Sequence, residues 1–173
     1  MSATYRNKVV SMKALTIKAN RFRGNKNWEF RNYQWRLYAT EQREIVQQTW
    51  KQLVPIADTA ATLFYQRLFE IDPSTRPLFS GADMPEQRRK LMQMIGRVVN
   101  GLDQPTESLQ SVAQLGARHL NYGVTDKHYD SVGEALLWTL GQGLGESFTP
   151  EVKEAWATVY GLLADTMRRA VRT

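Results

Sequence analysis

The stretch LFYQRLFEIDPSTRPLF, Leu63–Phe79, holds the fold decision. Its first half puts Phe64, Tyr65 and Leu68, with Ala61 before them, at helical spacing. Asp72-Pro73 and Pro77 then exclude continuous helix, because proline lacks an N–H and forces the residue before it away from helical backbone. A helix, a sharp proline corner and a returning phenylalanine describe an all-α chain with irregular corners rather than an up-down bundle.

The rest of the body agrees. A helix is expected from Thr40, its hydroxyl capping EQREIV, with Ile45, Trp50 and Leu53 on one face and Pro55 re-aiming the run. Another opens near Pro85 and carries Leu91, Met94, Ile95, Val98 and Val99 until NGLDQP ends it. A shorter piece, ESLQSVAQLGARHL, leads to a turn at Asn121–Thr125. The next helix, from Asp126, turns Val132, Leu136, Leu137 and Leu140 inward. In the last, Thr149 caps, Pro150 opens, and Val152, Trp156, Val159, Tyr160, Leu163 and Met167 form the apolar face. No strand and no internal repeat is read after residue 40.

The chain has 173 residues and a net charge of +6, unevenly spread. Nine lysines and arginines precede residue 40 against the single Glu29, so the remainder is slightly acidic. The basic character therefore belongs to residues 1–39, and reading the whole chain as a nucleic-acid binder would be a mistake. In that segment RFRGNKNWEFRNYQWRLY, Arg21–Tyr38, alternates Trp28, Phe30, Tyr33, Trp35 and Leu37 around a GNKN turn, and reads as extended or irregular. A solvated extension, sequence upstream of the true start, an electrostatic tether to an anionic membrane surface or nucleic acid, and packing back over the body all remain open for it. The expected domains are thus a 1–39 extension and a 40–173 body.

Composition narrows the chemistry. With no cysteine there are no disulfides, thiolate nucleophiles, iron–sulfur clusters or cysteine zinc sites. No apolar run reaches the length of a membrane span, and no secretory signal is read, so a cytoplasmic chain is expected, with the extension as a route to peripheral membrane association. LGQGLG interrupts helical sequence and follows no strand, which argues against a phosphate cradle. Two histidines with scattered carboxylates give no helical pair of metal ligands. A single histidine serving as the axial ligand of a cofactor that brings its own donors remains, and haem needs only one.

Six segments in order, QQTWKQL, LFYQRLFEIDPSTRPLF, EQRRKLMQMIGRVV, LGARHLNYGV, HYDSVGEALLWTL and AWATVYGLLADTM, resemble a globin from about residue 41 to residue 170. The similarity is to single-domain bacterial globins related to flavohaemoglobins, with neuroglobin more distant. It implies the globin fold, a three-over-three helical sandwich around haem b. His119 would be the proximal iron ligand, its other ring nitrogen bonded to the carbonyl of Leu115. Phe79 would pack flat on the porphyrin, and Leu115, Tyr129 and Val132 would also contact it. Tyr65 and Gln87 would be the distal hydrogen-bond donors, with Leu91 one turn beyond Gln87. His128 is expected to be peripheral.

By the same resemblance, the iron would keep an open sixth position for O2, NO and other diatomic ligands. NO would be turned over to nitrate with electrons from a separate donor or reductase, since the family's reductase module does not follow. The family's proximal glutamate is also missing, with Val171 in its place, although Tyr129 keeps the tyrosine position. The rival readings are a gas sensor or interaction protein read out through the basic arm, and a haem-free globin fold.

Overall fold

A computed structural model describes residues 27–103, 112, 114–119 and 121–171, the side chains of 27–39 and of Val171 excepted. The GNKN turn, most of the basic charge, the tether aromatics and the residue at the glutamate position all fall outside the described residues or side chains. The chain divides into two units, Met1–Glu41 and Gln42–Thr173. In the first, residues 27–41 are helical.

The elements are α1 (Asn27–Leu53), a 3-10 turn (Val54–Ile56), α2 (Ala57–Ile71), a 3-10 corner (Pro73–Phe79), α3 (Met84–Asn100), α4 (114–119), α5 (Asp126–Leu144) and α6 (Pro150–Val171). No strand occurs among the described residues. None of their helices is long and apolar enough to cross a membrane.

Two expectations need correction. Residues 27–39 are helical, not irregular, and Thr40 lies inside α1 rather than capping it. The physical reason is the absence of a stop signal: between Asn27 and Leu53 there is neither glycine nor proline. Once a helix is nucleated, each further residue adds a hydrogen bond at little cost. The aromatic alternation suggested strand, but helix-forming Glu, Arg, Gln, Leu and Ala fill the same segment.

In the second unit α2 is the central element, packed on α5 and α3, while α5 also packs on α6. Ala60, Ala61, Phe64, Tyr65 and Leu68 form its buried stripe, as their spacing requires. One core cluster joins Val46, Leu53, Val99, Leu140, Leu144, Val152 and Trp156. There the indole N–H of Trp156 donates to Thr49 Oγ1 at 2.9 Å, which satisfies a buried donor. Beside it a cavity of about 20 Å³ is lined by Trp50, Phe64, Leu91, Ile95, Leu136 and Thr139. The buried Thr139 hydroxyl has no hydrogen-bond partner among the described residues.

Candidate functional site

The proline corner begins with Asp72, which is buried and intensely partnered. Its side chain accepts hydrogen bonds from the Ser74 backbone N–H and hydroxyl and from Ser131 Oγ at 2.9 Å, and Lys127 Nζ lies 3.8 Å away. These donors, Ser74 first, hold its carboxyl below the usual carboxylate range. Because Ser131 is on α5, the carboxylate ties the corner to that helix.

His128 joins this network, contrary to its expected peripheral place. It is buried, and its Nδ1 accepts from the Thr125 N–H at 3.1 Å as part of a capping box that starts α5. Its Nε2 lies 3.3 Å from Ser74 Oγ. An accepting Nδ1 assigns the proton of the neutral ring to Nε2, so this histidine is spent on structure.

His119 is different. Its Nδ1 lies 2.8 Å from the Leu115 carbonyl, one turn back on α4. A carbonyl only accepts, so Nδ1 carries the proton and Nε2 keeps its lone pair. The carbonyl of His119 takes the N–H groups of Tyr122 and Val124, which folds the chain away at Gly123, whose φ is +78°. The imidazole lies 23° from parallel to the Tyr129 ring, with centroids 6.3 Å apart.

Two glycines allow the surrounding helices to close up. A Cβ on Gly116 would meet the Met167 backbone at 2.7 Å, so α4 rests directly on α6. A Cβ on Gly133 would meet the Tyr160 ring at 2.6 Å. Tyr160 uses that room to donate its hydroxyl to the Tyr129 carbonyl. Leu115 and Tyr129 share a core cluster with Val98, Val112, Ala164 and Met167.

A second cluster gathers Tyr65, Phe79, Leu91 and Val132 with Phe64, Leu68 and Ala135. The rings of Tyr65 and Phe79 meet edge to face, 5.3 Å apart at 77°, and Phe69 packs against both. Tyr65 is 7% exposed, and its hydroxyl reaches the backbone carbonyl of Gln87 at a long 3.5 Å, its one partner among the described residues. Burial pushes its phenol up to about 12, so it stays a donor through the neutral range. The eight residues expected at the site thus fall into two groups. Tyr65, Phe79, Leu91 and Val132 are together, and Gln87 joins them by its main chain. Leu115, His119 and Tyr129 form the other group.

Sequence reasoning missed Asp72, Arg168 and Gly116. The guanidinium of Arg168 lies over the Tyr129 ring.

These donors suit haem better than any other iron centre. One imidazole presents a free Nε2, and the neighbouring groups are aromatic and aliphatic. Among the described residues no three histidine or carboxylate side chains gather to hold a metal ion by themselves. Haem's own four nitrogens supply what such a site lacks.

The sequence model of the family described as Globin matches residues 62–167. A flavohemoprotein of Rhodopirellula baltica is 31% identical over 121 residues, which cover 66% of this chain and 30% of that one. A flavohemoprotein of Bordetella pertussis is 31% identical over 133 residues, 76% of this chain and 33% of that one. The chain thus spans about a third of the length of these flavohemoproteins. An anaerobic nitrite reductase of Physcomitrium patens is 28% identical over 147 residues, covering 76% of this chain and 81% of that one. Among solved structures, a hexacoordinated haem protein from an anhydrobiotic tardigrade aligns with a TM-score of 0.70 at 15% identity, over 77% of this chain and 94% of that one.

Proposed function

The chain belongs to the globin family, and on that premise we propose that it holds haem b on His119 and binds diatomic ligands, O2 and NO among them, at an open sixth iron position. The observation that carries this reading is the 2.8 Å contact from His119 Nδ1 to Leu115 O, which leaves Nε2 as a ready donor. Haem would supply the iron and, with an external electron donor, the redox chemistry that converts NO and O2 to nitrate.

The protein's own residues have distinct tasks in this reading. His119 would hold the iron through Nε2, with the tautomer of the neutral ring set by the Leu115 carbonyl. Tyr65 keeps a hydroxyl whose one partner among the described residues is a carbonyl at the limit of hydrogen-bond reach. Its proton is therefore available to a ligand that carries negative charge, and such charge-assisted bonds are the strong ones. Phe79, Leu91 and Val132 keep water from competing for that donor. Gln87 adds its amide as a second donor from α3. The flavohemoprotein relatives, whose name joins flavin and haem in one protein, support the supply of electrons to this haem by a flavin reductase.

The test is an absorption spectrum of the purified protein with and without His119→Ala, followed by NO consumption under O2 with an electron donor. A Soret band lost in His119→Ala, and turnover that falls in Tyr65→Phe, are expected. A low-spin bis-histidyl ferrous spectrum would overturn the open sixth position. Turnover at the background rate of a non-enzymatic globin would overturn the NO reaction.

A further inference from the structure

Arg168 lies on the described part of α6, one turn before its end, and its side chain is 22% exposed. It gathers an unusual set of partners. One terminal nitrogen donates to the Asp126 carbonyl at 3.0 Å and to Asp130 Oδ1 at 2.5 Å. Asp126 Oδ1 stands 3.5 Å from Nε, and Asp165 Oδ1 3.6 Å from the other terminal nitrogen. The guanidinium carbon also lies 5.3 Å from the centre of the Tyr129 ring.

The aspartates are 61–75% exposed, so the ion pairs alone are screened and weak. The contact with Tyr129 is different, because that ring is 6% exposed and the guanidinium over it is shielded from water on that side. A planar cation on an aromatic face is attracted more strongly when both are desolvated. Tyr129 is also the ring lying alongside His119. Its main chain is pinned by Tyr160, which fits only because Gly133 lacks a side chain. The backbone at Tyr129 is therefore fixed from α6, and the remaining freedom is in the ring.

We propose that Arg168 is a positioning residue for the proximal imidazole. By covering the Tyr129 ring and tying α6 to the first turn of α5, it fixes the surface against which His119 sets its plane. The inference rests on the haem reading above and assigns a role that composition hides, since Arg168 otherwise reads as a surface charge. Arginine suits the role because one flat group can stack on the ring while its edge bonds the Asp126 carbonyl and Asp130. Lysine's point charge can serve the carboxylates but cannot stack in this way.

The experiment uses the haem-loaded protein in three forms, wild type, Arg168→Met and Arg168→Lys. The iron–histidine stretching band of the ferrous form is read by resonance Raman, the rate of haem transfer to an excess of a scavenging apoprotein is timed, and thermal melting is followed. In Arg168→Met the band is expected to shift and broaden, and haem to leave about tenfold faster, the usual order for losing an outer partner of a metal ligand. Arg168→Lys is expected to behave like Arg168→Met, and carries the comparison if the methionine variant does not fold. An unchanged band and release rate with a lowered melting temperature would show a purely structural tie and overturn the proposal. A lysine variant indistinguishable from wild type would overturn it too, because charge alone would then suffice. A wild-type protein without a Soret band would bring down the haem reading itself, and this inference with it.

Discussion

His119 donates its Nδ1 proton to the carbonyl of Leu115 across 2.8 Å, so the side chain is oriented by its own helix before anything binds. This separates the residue from His128, whose Nδ1 accepts rather than donates. Replacing His119 by Ala is therefore expected to abolish the Soret band. Added imidazole should restore part of it by occupying the vacated space. His128→Gln is expected to keep the band while lowering the melting temperature, and loss of haem in that variant alone would reverse the assignment of the two histidines.

Tyr65→Phe removes a hydroxyl that has no strong protein partner. The fold should hardly notice, while O2 release should accelerate roughly tenfold to a hundredfold, the range expected for one hydrogen bond to a charged acceptor. Because burial raises the phenol to about 12, wild-type release should be flat from about pH 6 to about pH 9. Stopped-flow displacement of O2 across that range checks both points. A release rate that climbs with pH near neutrality would mean that another group makes the bond.

Asp72 predicts a pH dependence of stability. Its carboxyl is held below the ordinary value of 3.8, chiefly by Ser74 and then Ser131. The folded state therefore binds this proton less readily than the unfolded chain. Its stabilisation is complete above the ordinary value and is lost as pH falls through the lowered folded one. Asp72→Asn should melt lower than wild type at about pH 7, with the gap closing as the pH falls below the ordinary value and through the lowered one. Thermal melts along a pH series measure the gap, and a gap that widens in acid would contradict the sign.

Gly116→Ala would place a methyl 2.7 Å from the Met167 backbone. Neither partner is a flexible side-chain end, so α4 must lift from α6. A loss of about 1–3 kcal/mol is expected by denaturant titration. Haem should also dissociate faster, since α4 carries His119. A variant as stable as wild type would show that the two helices are free to separate.

The all-α architecture could be read from the sequence because periodicity survives in any one segment. Phe64, Tyr65 and Leu68 mark the buried face of α2 without knowledge of what lies opposite. The contact of His119 with Leu115, which the resemblance to globins implied, is present because both residues sit within one helical turn. The N-terminal reach of α1 was not, because a helix continues wherever nothing stops it, and absence of a stop is a faint signal. His128 did leave a trace: Thr125 followed three residues later by a side chain able to bond back is a capping box, with histidine in the place usual for glutamate. Arg168 and Gly116 left none. Their importance lies in what α6 brings near, and no local pattern encodes a neighbour 42 or 51 positions away.

The small void beside Thr139 gives the molecule a mechanical property as well. Empty space inside a folded protein disappears when the chain unfolds, so hydrostatic pressure works against the native state. A substitution that removes the stranded hydroxyl, such as Thr139→Val, leaves nothing polar to strand and keeps the side chain's branched shape. It should raise thermal stability by ending a buried mismatch, while the response to pressure, which follows the void, stays as it was. The same few ångströms separate Trp50 from Trp156, whose ring centres are 6.4 Å apart. Their ultraviolet emission would register that compression from within the core.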